Sequence, residues 1–303
     1  MSLFKTIYKQ YISNKNAFDK VKSDPYPFFI ADKKHGYIMR PGSYTFTYTK
    51  QKKGVKSFFK NKVTIEKNNQ RYIGRSSLNT SKDVFIFGDS FIFGEGVNDE
   101  QTFTFLLQNK FPSFKFHLYA TGGYSLSNAY INFQQVKSKI KKGDIVILGY
   151  ADYFKVRHVA APSRLKAYGK PSSIITNPEI KHLRANIGSQ NDLYFDYVPI
   201  FCEKSKGYCN NIDPSEDYMN QVAIKLINTI KKESLAEIIL FHFSGSKDDP
   251  VLKGINKNIT TIEATKIDFD YEINDDIMGF DAHPGPFWHY AMFLKLVDYL
   301  KNY

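Results

Sequence analysis

Short strand-like runs recur along the second two-thirds of this chain, each closed by a glycine or a polar turn. Val84, Phe85, Ile86 and Phe87 run without polar alternation into Gly88, the pattern of a strand buried on both faces of a parallel sheet. Phe114 to Tyr119, Asp144 to Leu148, Glu237 to Phe243 and a piece near Thr260 to Ala264 read as further strands. Between and after them the apolar period changes to that of helices. Ser215 to Glu233 is amphipathic, and Phe287 to Leu300 reads as a closing helix with Tyr290, Phe293, Leu294 and Val297 on its inner face. Strands alternating with helices imply an α/β fold with right-handed crossovers.

Upstream the pattern is different. Tyr44 to Thr49 and Val63 to Glu66 read as strands of a small β-rich segment that precedes the α/β domain. The chain divides accordingly into residues 1–79 and 80–303. Residues 151 to 214 are long for a connection and carry Pro162, Pro171, Pro178, Pro199 and Pro214, so they read as an insertion over the carboxyl edge of the sheet, where loops build the pocket. Leu3, Phe4, Ile7, Tyr8, Tyr11 and Ile12 have helical spacing, with Lys5, Lys9 and Lys15 on other faces. A helix of that kind packs on its own domain or lies on an anionic membrane surface, so residues 3–15 are a candidate membrane contact.

The chemistry concentrates where the first strand ends. Gly88-Asp89-Ser90 sets a serine at the carboxyl end of Val84 to Phe87, the edge at which open α/β sheets bind ligands; its hydroxyl is expected to be exposed there. A serine needs a base within hydrogen-bond reach and an acid to orient that base. His283 offers both, in Phe280-Asp281-Ala282-His283-Pro284-Gly285. Residues i and i+2 of an extended segment share a side, so Asp281 can reach one ring nitrogen while the other faces Ser90. Pro284 disfavours helix at His283 and supports the extended reading.

Gly88-Asp89-Ser90, the following Phe-x-Phe-Gly-Glu-Gly-Val, the late Asp-x-His-Pro and His289 six positions on together resemble the SGNH, or GDSL-type, hydrolases over roughly residues 80 to 303. The resemblance implies a three-layer αβα sandwich around a flavodoxin-like parallel sheet. It also implies that the second block is Thr121-Gly122-Gly123-Tyr124-Ser125, with the N–H groups of Ser90 and Gly123 forming an oxyanion hole. At the third block the chain departs from the family. Gly-x-Asn-Asp is expected, and Gly149-Tyr150-Ala151-Asp152 is present. A methyl cannot donate a hydrogen bond, and losing one such donor costs on the order of 10² to 10³ in rate. Arg157 and His158 are the nearby candidates to replace it or to contact substrate. Many relatives place the acid three residues before the histidine, where this chain has Phe280, so Asp275 and Asp276 are alternatives to Asp281.

These residues imply a serine esterase that forms an acyl-enzyme on Ser90. The resemblance makes the substrate an acylated small molecule or glycan, with the ester alcohol on a carbohydrate. An O-acyltransferase uses the same triad and differs in whether water or a sugar hydroxyl resolves the intermediate. A catalytically weak glycan-binding protein is the reading that Ala151 favours. No cofactor is expected, and no metal, because no His, Cys and acid cluster has ligand spacing. His289, His117 and His242 read as structural.

Among 303 residues the net charge is +12. Lys50, Lys52, Lys53, Lys56, Lys60, Lys62 and Lys67 crowd the N-terminal segment, which makes an anionic polymer a candidate partner there. Nucleic acid is not expected, since no binding motif accompanies the charge. With no apolar run of membrane-spanning length and no signal-type apolar core after Met1, a cytoplasmic address is the default. Cys202 and Cys209 are then expected as free thiols.

Overall fold

The computed structural model describes residues 20–52, 55–168, 177–202, 206–243, 248–264 and 283–303. Five parallel strands form the central sheet: β6 (Lys82–Gly88), β7 (Phe114–Ala120), β8 (Ile145–Tyr150), β11 (Glu237–His242) and β12 (Thr260–Glu263). Their spatial order is β12-β11-β8-β6-β7. Counted from the first strand of this sheet, that is the flavodoxin-like order 2-1-3-4-5, with its switch point between β6 and β8.

Alternate residues of each strand point to opposite faces, and here both faces are covered. Val84, Ile86, Ile145, Ile147, Ile239 and Phe241 join one core with Phe103 and Leu107 of helix α2 (Phe103–Lys110) and Trp288, Met292, Leu296 and Leu300 of α9 (Pro286–Leu300). Phe85, Phe87, Val146, Leu148, Ile238 and Leu240 join the other with Phe133 of α3 (Leu126–Val136) and Val222, Leu226 and Ile230 of α7 (Glu216–Glu233). The chain is thus a three-layer αβα sandwich, as the continuous apolar runs require. Ser215 caps α7 by accepting from the Tyr218 N–H, the usual task of a serine at that position.

The N-terminal segment holds two antiparallel units. Strands β1 (Lys20–Asp24), β4 (Gly42–Lys52) and β5 (Val55–Ile65) form a three-stranded sheet, while β2 (Phe29–Asp32) and β3 (Gly36–Met39) form a hairpin. Phe28, Tyr37, Tyr44, Phe46, Tyr48 and Val63 are buried in the same core as Val84, Ile92 and Phe93. Lys60, Lys62 and Lys67 are exposed. The amphipathic stretch at residues 3–15 lies outside the described residues.

Two expectations are corrected. Tyr290 and Leu294 of α9 are exposed, and the buried face is instead Trp288, His289, Ala291, Met292, Leu296 and Leu300. This helix is apolar on most of its circumference, so periodicity alone does not fix its phase; the pairing of His289 with α2 does. The Phe103 N–H donates to His289 Nδ1 at 3.4 Å and the two rings stack. The cysteines are also not free: Cys202 and Cys209 form a disulfide, Cα–Cα 5.7 Å, because the short helix α6 (Lys206–Cys209) brings the second sulfur back to the first. That Cα separation is within the range a bridge spans.

Residues 151–214 contain α4 (Lys155–His158), α5 (Pro162–Tyr168) and an antiparallel hairpin of β9 (Lys181–Ile187) and β10 (Leu193–Pro199), and the short α8 (Pro250–Gly254) follows β11. Among the described residues, no helix is long and apolar enough to cross a membrane.

Candidate active site

Ser90 opens a single helical turn, α1 (Ser90–Phe93), directly after β6. Asp89 caps that turn, its Oδ1 accepting from the Phe91 N–H at 2.9 Å. Ser90 is the first helical residue, so its N–H has no partner within the helix and stays available to an anion at the turn. Gly88 is required for packing as much as for the turn: a Cβ on Gly88 or on Gly149 would collide with the Ile92 side chain seated between them. The turn is pulled inward as a result. Ser90 is 2% exposed rather than open to solvent as expected, and its Oγ has no hydrogen-bond partner among the described residues.

The loop after Ser90 is fixed by a residue that sequence reasoning missed. Arg71 is buried, donates to Asp99 Oδ1 at 2.8 Å, and spreads its remaining N–H groups over the carbonyl oxygens of Phe93, Gly94 and Val97 at 2.5 to 2.9 Å. Gly94, at φ +84°, closes α1 in the left-handed conformation; a side chain there would also strike Thr102 and the Arg71 guanidinium. Nothing in the sequence around Arg71 marked it, because its partners lie some 22 to 28 residues on.

The glycine loop of the second block follows β7. The Tyr124 N–H donates to Thr121 O, and Gly123 has φ +80°, a conformation that suits glycine at the third position of a turn. The Tyr37 hydroxyl, from the N-terminal hairpin, donates to Gly122 O at 2.9 Å, and the Tyr124 hydroxyl donates back to Tyr37 O at 2.7 Å. A carbonyl and the next N–H point in opposite directions across a trans peptide. Tyr37 therefore fixes the direction of the Gly123 N–H by holding the other side of the same peptide.

His283 reaches the Ser90 turn from the far end of the chain. Its ring meets the Phe91 ring edge-on at 5.4 Å, and its Nε2 lies 3.7 Å from Glu95 Oε2. Asp281, Asp275 and Asp276 lie outside the described residues.

The two candidates for the missing donor separate. Arg157 is buried, with its guanidinium 3.6 Å from the centre of the Phe154 ring and its Nη1 3.6 Å from Asp89 Oδ2. Burial raises the Asp89 carboxyl above its ordinary pKa, against the opposing pull of Arg157, the Phe91 N–H and His283. His158 is engaged elsewhere. Its Nδ1 accepts from the Leu126 N–H at 3.3 Å and its carbonyl from the Ser127 hydroxyl at 2.9 Å, so it pins the start of α3. Burial lowers its pKa to about 3. His182, also unmarked in the sequence, places its Nε2 2.9 Å from Arg157 O and so holds the backbone that carries the guanidinium.

His117 and His289 serve the packing. His117 Nε2 meets Asp83 at 2.6 Å while its ring stacks on Phe85 across the β6–β7 pair. Among the described residues, no group of His, Cys, Asp and Glu is arranged to hold a metal ion.

The strand order, the serine turn at the end of the first parallel strand and the glycine loop after the second now stand together. The chain has an SGNH-like fold. No family model and no curated protein matches the sequence. Among solved structures, a lipolytic G-D-S-L-family protein from Veillonella parvula aligns over 74% of this chain and 100% of its own, at 12% identity and TM-score 0.41. The psychrotrophic esterase EstA of a Pseudoalteromonas species aligns over 73% and 98%, at 12% identity and TM-score 0.38. A carbohydrate esterase aligns over 93% and 97%, at 9% identity and TM-score 0.42.

Proposed function

We propose that the protein is a serine esterase that cleaves an O-acyl ester of a carbohydrate through an acyl-enzyme on Ser90. The observation that carries the reading is the packing of the His283 ring on Phe91, which brings a base from the end of the chain to the turn that holds the serine. In this reading Ser90 Oγ attacks the acyl carbon as its proton passes to His283. The imidazole returns that proton to the departing alcohol, and water then resolves the acyl-enzyme by the same steps. Asp281 orients the ring. The N–H groups of Ser90 and Gly123 face the developing oxyanion, and the Arg157 guanidinium, held beside Asp89, supplies the positive charge that replaces the amide absent at Ala151.

Labelling with a fluorophosphonate tests the reading. Modification of the protein at Ser90, together with loss of both labelling and short-ester turnover in Ser90→Ala, is the expected result. Turnover that survives Ser90→Ala undiminished overturns it. Adding sugar acceptors to the same assay tests the transferase variant: acyl transfer that rises with acceptor makes this an O-acyltransferase.

A further inference from the structure

Glu95 stands where the two loops of the site meet. It lies between Gly94 and Gly96, both in the left-handed region at φ +84° and +90°, and its N–H donates to Ser90 O at 3.0 Å. Because Arg71 holds the carbonyls of Phe93, Gly94 and Val97, the backbone that presents Glu95 is fixed on both sides. Its Oε2 is 3.7 Å from His283 Nε2, and each of the two side chains is 19% exposed. On its other side is Gly122, the residue before the oxyanion glycine: a Cβ on Gly122 would lie 3.0 Å from the same Oε2. The carboxylate thus sits between the imidazole and the glycine loop.

We infer that Glu95 is a positioning residue for His283, holding the imidazole at the Ser90 turn and facing its positive charge when it carries the serine proton. The inference rests on the esterase reading above. When Ser90 Oγ bonds to the acyl carbon, the ring gains one proton and one positive charge, shared over both nitrogens. A carboxylate beside either nitrogen then stabilises the charged ring more than the neutral one, which is the differential effect that lowers a barrier. Glu95 itself exchanges no proton. Among the described residues Asp89, partly offset by Arg157, also faces His283, and His289 is coupled to it only when charged, which burial disfavours by lowering its pKa to about 3.

Steady-state kinetics on a short acyl ester test this. Glu95→Gln is expected to lose on the order of 10²-fold in kcat with KM little changed, the scale of a misplaced catalytic group, and Glu95→Asp to recover part of it. Gly122→Ala, whose methyl would press on Oε2, is expected to lower kcat in the wild-type background and to add nothing in the Glu95→Gln background, since the two would act on one contact. If Glu95→Gln does not melt cooperatively, Gly122→Ala alone decides, because it keeps the charge and moves it. An unchanged kcat in Glu95→Gln, or in Gly122→Ala where that variant decides, overturns the inference while Ser90-dependent turnover still stands. A wild-type protein without Ser90-dependent turnover overturns the esterase reading itself.

Discussion

Arg157 is a buried cation set between the Phe154 ring and Asp89, and in the proposed reaction it stands in for the amide absent at Ala151. A buried guanidinium is costly unless it is paired. Here the pairing comes from Asp89 at 3.6 Å and from the face of Phe154. Stacking a planar cation on a ring is something lysine does poorly, so the geometry is specific to arginine. Arg157→Ala is expected to lower kcat on a short ester by about 10² to 10³-fold, the cost of one oxyanion donor, with KM little changed. Arg157→Lys should restore only part of the loss. Steady-state rates measure both, and an Arg157→Ala enzyme with full kcat would return the Ala151 problem to another group. The positions of Ser90, Gly123 and Arg157 were legible in the sequence, because each follows a strand end by two to seven residues. His158, next to Arg157, could not be told from it by position. Only the structure shows it accepting from the Leu126 N–H, as a prop for α3.

Whole elements were legible where burial is two-sided and obscure where it is not. Val84, Phe85, Ile86 and Phe87 are all at most 2% exposed, so an unbroken apolar run was enough to find β6. The closing helix α9 was found with its inner face only partly right: Phe293 and Val297 pack on the core, while Tyr290 and Leu294, as apolar as the residues that are buried, face outward. The β9–β10 hairpin was read only as insertion, its residues mostly half-buried in a mixed pattern. The turn that bears Ser90 illustrates the same limit. Its start is written in Gly88-Asp89-Ser90, yet what holds its far side is Arg71, from the strand-like segment before β6. Arg71 and Asp99 also tie β5 to the turn, because Asp99 Oδ2 accepts the Thr64 N–H at 2.9 Å. Arg71→Met should therefore destabilise the protein by about 3 to 5 kcal/mol, the cost of leaving a buried partner uncompensated. Adding Asp99→Asn should recover part of that loss. Urea unfolding of the two variants measures it, and an Arg71→Met protein as stable as wild type would show that the clamp contributes nothing net.

Across the whole molecule, three buried histidines add hydrogen bonds between elements that also pack on the two apolar cores. His158 connects α4 to α3, His182 connects β9 to α4, and His289 connects α9 to α2. Burial lowers their pKa values to about 3, 4 and 3 from an ordinary 6.5. Each binds a proton more weakly folded than unfolded, so the stability that they permit is complete above about pH 6.5 and is lost as the pH falls toward 4. Every such group contributes a slope of about 1.4 kcal/mol per pH unit in that window. Asp89 acts in the opposite sense. Its raised pKa means that the folded protein takes up a proton there sooner than the unfolded chain, which offsets part of one histidine's slope as the pH drops toward 3.8. The paired carboxylates Asp32 and Glu233 are lowered from 3.8 and 4.5, so their protonation weakens the fold only near the bottom of the window. The net expectation is a steep fall in the urea midpoint between pH 6 and pH 5, well before ordinary carboxylate titration. His289→Gln, which removes one of the three, should flatten that fall by about a third if the histidine slopes are equal. A midpoint that stays level from pH 7 to pH 5 in the wild-type protein would mean that these rings take up a proton within the fold as readily as in the unfolded chain.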